Sequence, residues 1–403
     1  MAEKYSSESL DEEEEEETNE PNPMRYFGHE LKHRYSGEAI DELDEILETD
    51  QEEGHYIILK DQILDHRYQV KSLIGRGTFC LVWLAYDHIL QQNVAIKILK
   101  QQEEEIFEDE YILNRYLSDA MTSNVRLVKF YRMFYHLQHS CLVFELVAQN
   151  ILTYINYFDA ALVGIPLPLI KKIVKDTLHG LDFMHKLGVI HTDLKPENVM
   201  ASRPIFPYPP FAGSDDTDVF NALEDDPNTI DFKLGDIGNS CFVNNPLNDL
   251  IQTRQYRSPE VLLGLPYDTS ADIWSLACMT FELTTRNHLF DPTYEEEEDE
   301  TPENRHIFDS IHLSMIESVL GRIPEDWAKE GNHYSELYYE NGELKYPCQE
   351  PMPCVYELLR KFDVPDNEAT ELADFLEPML AIIPSQRPSA EEILLSPWLH
   401  QIK

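Results

Sequence analysis

The sequence predicts an α+β chain with two lobes, a small β-rich one followed by a larger helical one. Three observations carry this. Apolar and polar residues alternate with period two through Val82, Leu84 and Val94-Ala95-Ile96, the mark of antiparallel strands. From Pro168 onward helical patterns take over, in LPLIKKIVKDTLHGLDFMH, ADIWSLACMTFELTT and ELADFLEPMLAII. Strands gathered first and helices after them argue for segregated layers rather than alternating βαβ units. The 403 residues are enough for two or three lobes with cores of their own.

Residues 1–53 carry 20 acidic and 4 basic side chains, including the run Glu12 to Glu17. Like charges at this density repel, and few apolar residues offset the chain entropy, so this part reads as a mostly disordered tail. Within it, Ile40, Leu43, Ile46 and Leu47 fall near helical spacing and suggest a transient helix. Folded structure is expected from HYIILKDQILDHRYQVKSLIG onward, giving a first lobe and hinge over 54–147. In that lobe EEEIFEDEYILNRYL predicts a helix with Ile106, Ile112, Leu113 and Leu117 sharing much of one face, and CLVFEL predicts another strand. The second lobe spans 148–403. Two inserted loops interrupt it, a Pro-rich then acidic one at about 201–231 and an acidic one at about 293–305.

The whole chain has 75 acidic and 32 basic side chains, a formal net charge of −43, and 42% apolar residues. That apolar share excludes a wholly disordered chain. The charge repels phosphate and excludes a direct, non-specific nucleic-acid binder. It favours cationic partners, with simple solubility as the alternative reason for it. No unbroken apolar stretch reaches the roughly 18 residues needed to cross a bilayer. The N-terminus lacks the apolar core of a secretory signal. Cys80, Cys141, Cys241, Cys278, Cys348 and Cys354 are scattered, with no CxxC pair, and read as reduced cysteines of an intracellular protein.

The chemistry sits in one ordered constellation. Gly75-Arg76-Gly77 follows a predicted strand, and two glycines one residue apart let backbone approach a phosphate closely. The third glycine of GxGxxG is replaced by Cys80. Lys97, ending Val94-Ala95-Ile96-Lys97, can reach α- and β-phosphates. A buried ammonium needs an anion, and Glu110 on the next predicted helix is the candidate, with Glu108 and Asp109 pointing elsewhere. In His191-Thr192-Asp193-Leu194-Lys195-Pro196-Glu197-Asn198, Asp193 can orient or accept a hydroxyl proton and Lys195 can offset charge on a γ-phosphate. Asn198 and the Asp236 of Asp236-Ile237-Gly238 can offer oxygens to Mg²⁺. Ser258-Pro259-Glu260 closes the segment, its Glu expected to pair with Arg387. This order and spacing point to phosphoryl transfer by a protein kinase.

From about Tyr68 to Leu399 the sequence resembles the eukaryotic protein kinases, which implies their bilobal fold and the use of ATP with Mg²⁺. It is similar in particular to the SR protein kinases, which phosphorylate serines in Arg–Ser repeats. GHYIILKDQILDHRYQV, LPLPLIKKIVKDTLHGLDFMH with VIHTDLKPENV, GDIGNSCF and IQTRQYRSPEVLLGLPYDTSADIWSLACMTFEL carry that likeness, with the C-terminal DFLEPML and RPSAEEILLSPWL. The resemblance places ATP against Ile74, Gly75, Arg76, Gly77, Thr78 and Phe79, and against Cys80, Val82, Ala95 and Lys97. It makes Phe144 the gate at the back of the pocket and implies that backbone groups of Glu145 and Val147 hold adenine.

Ile237 stands where most kinases have Phe and this family has Leu. Thr192 replaces the Arg that in many kinases receives an activation-loop phosphate. The resemblance therefore implies an activation segment ordered without phosphorylation. The family's long spacer falls at residues 201–231 but is short here and not basic. Its acidic docking positions fall on Ile311 and Ser318, leaving Asp309, Glu317 and Glu295 to Glu300 as candidates to substitute.

The expected partners are basic, Arg/Ser-rich protein substrates, met by a monomer with no membrane or direct nucleic-acid contact. The cytoplasm is the expected location, with the nucleus open as a second. Two other functions remain: a related kinase with Pro-directed or dual-specificity targets, which TRQYRSPE also resembles, and a pseudokinase that binds basic proteins.

Overall fold

The computed structural model describes Tyr56, Ile58 and residues 60–400 apart from Thr78 and residues 101–103, 123–124, 161–163, 204–228, 247, 294–299 and 302. The acidic tail, Thr78, most of the first inserted loop and the run from Glu295 to Asp299 lie outside the described residues.

Among the described residues the first lobe is a six-stranded antiparallel sheet with one helix. The strands are β1 (Ile63–Leu64), β2 (Tyr68–Arg76), β3 (Cys80–Asp87), β4 (Gln92–Leu99), β5 (Phe130–His136) and β6 (His139–Glu145), in the order β1-β2-β3-β4-β6-β5. Alternation sorts the side chains. Val70, Trp83, Val94, Ile96, Ile98 and Val143 face one core, which Ile58, Leu64 and Tyr68 close from outside. Val82, Ala95 and Lys97, the intervening residues, line a cleft on the other side. Helix α1 (Glu104–Ala120) packs against β5. Its buried stripe is Glu110, Leu113, Asn114 and Leu117, at i, i+3, i+4 and i+7. Ile112, expected on that face, is 51% exposed, because position 112 lies to one side of that stripe.

The second lobe holds α2 (Ile151–Ala160), α3 (Leu167–Lys186), α4 (Pro259–Leu263), α5 (Ser270–Thr285), α6 (Arg305–Leu320), α7 (Glu325–Ala328), α8 (Tyr334–Leu337), α9 (Val355–Lys361), α10 (Asp366–Leu376), α11 (Ala390–Ile393) and α12 (Pro397–His400). Helix α3 buries Ile170, Ile173, Val174, Leu178, Leu181 and Met184. Helix α5 is buried almost all round, as its lack of a polar face requires. Trp274 stacks on Phe290 at its centre, with ring centroids 5.8 Å apart. A Cβ at Gly180 of α3 would lie 2.7 Å from the Arg126 carbonyl oxygen and 2.8 Å from Leu234, so only glycine lets the next layer approach this closely.

That layer is two short ladders, β7 (Val189–Ile190) with β10 (Cys241–Phe242) and β8 (Val199–Ala201) with β9 (Phe232–Leu234). They bring the loops 191–198 and 235–240 side by side beneath the sheet. Helix α2 and strand β5 were not read from the sequence. The helix expected over ELADFLEPMLAII ends at Leu376, where Pro378 lacks an N–H and turns follow. Among the described residues no helix is long and apolar enough to cross a membrane.

Candidate active site

Between the lobes lies a cleft of about 1130 Å³. Its roof is the β2–β3 turn. Gly75 pairs with Val82, and Gly77 exchanges backbone bonds with Cys80. Ile74, Gly75, Arg76, Gly77 and Cys80 line it, as do Val82 and Ala95 further in. Phe79 is exposed at the tip of the turn and does not line the cleft. At the back, Phe144 meets Phe130 edge-on at 5.5 Å, and Phe130 meets Tyr111 of α1 at 6.1 Å. Glu145, Leu146 and Val147 form the outer edge. The Glu145 carboxylate turns away to accept from Lys233 Nζ at 2.6 and 2.7 Å and from the Lys129 N–H at 2.7 Å.

Lys97 donates to Glu110 Oε1 at 2.8 Å and to Asp236 Oδ1 at 3.1 Å. Burial alone would push this ammonium down; the two carboxylates outweigh it and hold it above its ordinary value. The Lys97 charge in turn holds the Asp236 carboxyl below the usual range. Glu108 and Asp109 are exposed, so one acid of the three turns inward. A Cβ at Gly238 would sit 3.2 Å from the Glu110 carboxylate, so the turn after Asp236 presses directly on α1.

The loop 191–198 is pinned by Asp272 of α5, fully buried. Its Oδ2 accepts from the His191 N–H and His185 Nε2, both at 2.8 Å, and its Oδ1 from the Thr192 N–H at 2.9 Å. Burial opposes the Asp272 charge, but these donors hold its pKa below normal. Thr192 has φ 69°, an unfavourable conformation for a β-branched residue. Such strain persists only where surroundings over-determine it. Here its hydroxyl donates to Asn239 O at 2.7 Å and its carbonyl accepts from the Gln252 N–H at 2.8 Å.

Asp193, Lys195 and Asn198 follow as one unit. Lys195 Nζ is 2.9 Å from Asp193 Oδ2. Asn198 Nδ2 donates to Asp193 O at 2.8 Å, which leaves its amide oxygen as the acceptor. Asn198 and Asp236 line the same cleft wall, a neutral and an ionised hard oxygen together. That donor set suits Mg²⁺, and the Asp236 side chain is 45% exposed and so reachable. Thr253 completes the unit: its hydroxyl donates to Asp193 Oδ1 at 2.7 Å and accepts from Lys195 at 2.9 Å. Sequence reasoning assigned it no role, although TRQYRSPE was in view.

The segment after Asp236 is latched by Gln252, nearly buried and also at positive φ. Its Nε2 donates to Ala271 O and Ser275 Oγ, each at 2.9 Å, and its Oε1 accepts from the Ser258 N–H at 2.9 Å and hydroxyl at 3.1 Å. Both ends of the amide are thus satisfied by protein groups. Glu260 meets Arg387 through two bonds of 2.7 Å, both side chains fully buried and the guanidinium 5.0 Å over Trp274.

The three described carboxylates named as candidates to receive substrate arginines are already engaged. Asp309 is buried and bonds Arg254, and Glu300 bonds the same guanidinium. Glu317 accepts from the Ile323 N–H at 3.2 Å. Ser314 of α6 accepts from the Cys348 N–H at 3.1 Å.

Beside this segment His288 lies between Glu282 and Asp291, at 3.4 and 3.9 Å. Its pairing with Asp291 and Glu282 raises it from 6.5 to about 10. A raised histidine stabilises the fold fully below its unfolded value and loses that contribution as pH rises through the folded one. Wild type and His288→Gln are therefore expected to differ most in thermal midpoint below pH 6.5 and to converge above about pH 10. A difference independent of pH would remove the imidazolium from this account.

A nucleotide-sized cleft with a glycine roof, a lysine held by two carboxylates, and an aspartate–lysine–asparagine loop defines a protein kinase, and the protein kinase domain matches residues 68–399. The Serine/threonine-protein kinase SRPK of Physarum polycephalum is 33% identical over 91% of this chain and 94% of its own. The Serine/threonine-protein kinase AFC3 of Arabidopsis thaliana is 31% identical over 87% and 86%. The SRSF protein kinase 3 of Mus musculus is 25% identical over 86% and 89%. The chain belongs to the SR protein kinase family, and its activity is that of an ATP-dependent serine/threonine protein kinase.

Proposed function

We propose that the chain transfers the γ-phosphate of ATP to serines in Arg/Ser-rich, splicing-factor-like proteins, acting in the cytoplasm with the nucleus as a second location. The observation that carries the catalytic part is the joined set Asp193, Lys195 and Thr253 beside a cleft holding Lys97, Asn198 and Asp236. The mouse relative's name supports the substrate class. So does the charge of residues 54–403, which hold 55 acidic and 28 basic side chains, or −27 without the tail.

In this mechanism adenine lies between Ala95 and the hinge, meeting backbone of Glu145 and Val147. Lys97, fixed by Glu110, binds the α- and β-phosphates. Asn198 and Asp236 would hold Mg²⁺, which when bound would offset phosphate charge. Asp193 orients the serine hydroxyl and takes its proton as the new oxygen–phosphorus bond forms. The bond from the γ-phosphorus to the bridging oxygen breaks and ADP departs. Lys195 offsets charge on the moving group. Such catalysis rests on positioning and charge more than on covalent chemistry.

The test is phosphorylation of an (Arg-Ser) repeat peptide beside Lys-Ser and Ser-Pro peptides, at low and high salt, with enzyme never exposed to an activating kinase. Preference for Arg-Ser that weakens with salt is expected, because the distance over which exposed charges attract shrinks from about 10 Å at 0.1 M to about 3 Å at 1 M. Equal use of Ser-Pro would assign the chain to Pro-directed targets, and nucleotide binding without turnover would make it a pseudokinase. Dependence on an activating kinase would overturn the phosphate-free latch at Gln252.

A further inference from the structure

The geometry points to Glu300 as a positioning residue for phosphotransfer, acting through Arg254 and Thr253 on Asp193. This rests on the reading of Asp193 as the group that orients the serine hydroxyl.

Arg254 directly follows Thr253, whose hydroxyl is bonded to both Asp193 and Lys195. Its guanidinium is bound two-fold to Glu300, Nε to Oε2 at 2.8 Å and Nη2 to Oε1 at 2.6 Å, while Nη1 reaches Asp309 of α6. The Arg254 side chain is only 10% exposed, so neither solvent nor rotamer freedom competes well for it. A forked guanidinium on a carboxylate fixes orientation as well as distance.

Arg257 makes Glu300 more than a local partner. It lies three residues on, nearly buried, and its Nε and Nη2 bond the carbonyls of Ile251 and Gln252. Among the described residues its Nη1 has no hydrogen-bond partner; it faces Glu300 Oε1 at 3.8 Å and Asp309 Oδ1 at 3.9 Å. Among the described residues Arg305, 3.3 Å from Glu300, and the fully buried His312 also face this cluster. Two guanidiniums are thus held together in a poorly solvated place by two carboxylates. Without Glu300 the two arginines repel with Asp309 as the one carboxylate left between them among the described residues, and the turn 254–256 that carries Thr253 moves. Glu300 lies 46 residues from Arg254 and outside the nucleotide cleft, so the effect belongs to chemistry rather than to ATP binding.

The experiment compares wild type, Glu300→Gln and Glu300→Asp in the full chain, with active sites counted by a tight ATP-competitive inhibitor. Two peptides are used, one rich in arginine around its serine and one without arginine. For Glu300→Gln, kcat per active site is expected to fall about tenfold on both peptides, the loss of one charged bidentate bond. KM for ATP and for each peptide stays near wild type. Glu300→Asp, which keeps the charge, recovers part of kcat. A rise in KM confined to the arginine-rich peptide would overturn the inference and make Glu300 a substrate-docking residue. An unchanged kcat, or a loss accounted for by fewer active sites, would overturn it too. If Asp193→Ala retains full activity, the reading of Asp193 fails and takes this inference with it; if only Glu300→Gln is silent, the inference falls alone.

Discussion

Asp193→Ala is expected to lower kcat by about 10²–10⁴, the range for losing a positioned proton acceptor, with KM for ATP little changed. The second half follows from placement. Asp193 lies beside Asn198 but does not line the nucleotide cleft. Its carboxylate is engaged from both sides, by Lys195 on Oδ2 and Thr253 on Oδ1. Removing it leaves Lys195 bonded to Thr253, with its side chain 22% exposed to water, so the fold should be little disturbed. Steady-state kinetics with a circular dichroism melt separates the two effects. A variant turning over near the wild-type rate would take the hydroxyl-orienting role away from Asp193.

Arg387→Ala is expected to cost about 3–5 kcal/mol of folding stability, because it leaves the fully buried Glu260 carboxylate without its cation. The bonds lost include donations from Arg387 to the carbonyls of Ala381, Ser270 and Ile382. The same pair replaced on both sides, as Glu260→Leu with Arg387→Met, should be nearer wild type than either single change, since no buried charge then lacks a partner. Urea unfolding of the singles and the double provides the cycle. Single variants losing under about 1 kcal/mol, the scale of an exposed pair, would show that the bridge does not anchor the segment.

Sequence made the phosphate-handling residues legible because they come in contiguous runs. Lys97 and Glu110 could be paired on paper because one strand and the next helix carry them, 13 residues apart. Glu260 and Arg387 are 127 residues apart, yet buried opposite charges at motif positions still suggested each other. What escaped was whatever tertiary closeness alone assigns. Asp272 pins the loop before Asp193 from 80 residues away, and nothing in ADIWSLAC distinguishes it from an ordinary first-turn acid. Gln252 and Thr253 stood inside a quoted motif, but their tasks depend on the left-handed turn that aims them. Asp309 was a candidate to receive substrate arginines; burial against Arg254 gives it another use. Ile112 was misplaced because the helix buries a charged residue, Glu110, on the stripe that hydrophobic spacing alone would fill with an isoleucine.

The ladder of β8 and β9 separates two stretches of the site and encloses the first inserted loop. Val199, Met200 and Ala201 pair with Leu234, Lys233 and Phe232. Below them Ser202 and Asp231 exchange two further bonds, and Arg203 reaches the Thr229 hydroxyl at 2.7 Å. The ends of residues 204–228 are therefore tied together at the base. Closure entropy grows only with the logarithm of length, about 0.6 kcal/mol per doubling. Insertions and deletions there leave Asn198 and Asp236 where they are. A foreign domain grafted at this position would therefore sit between two halves of one active centre without parting them.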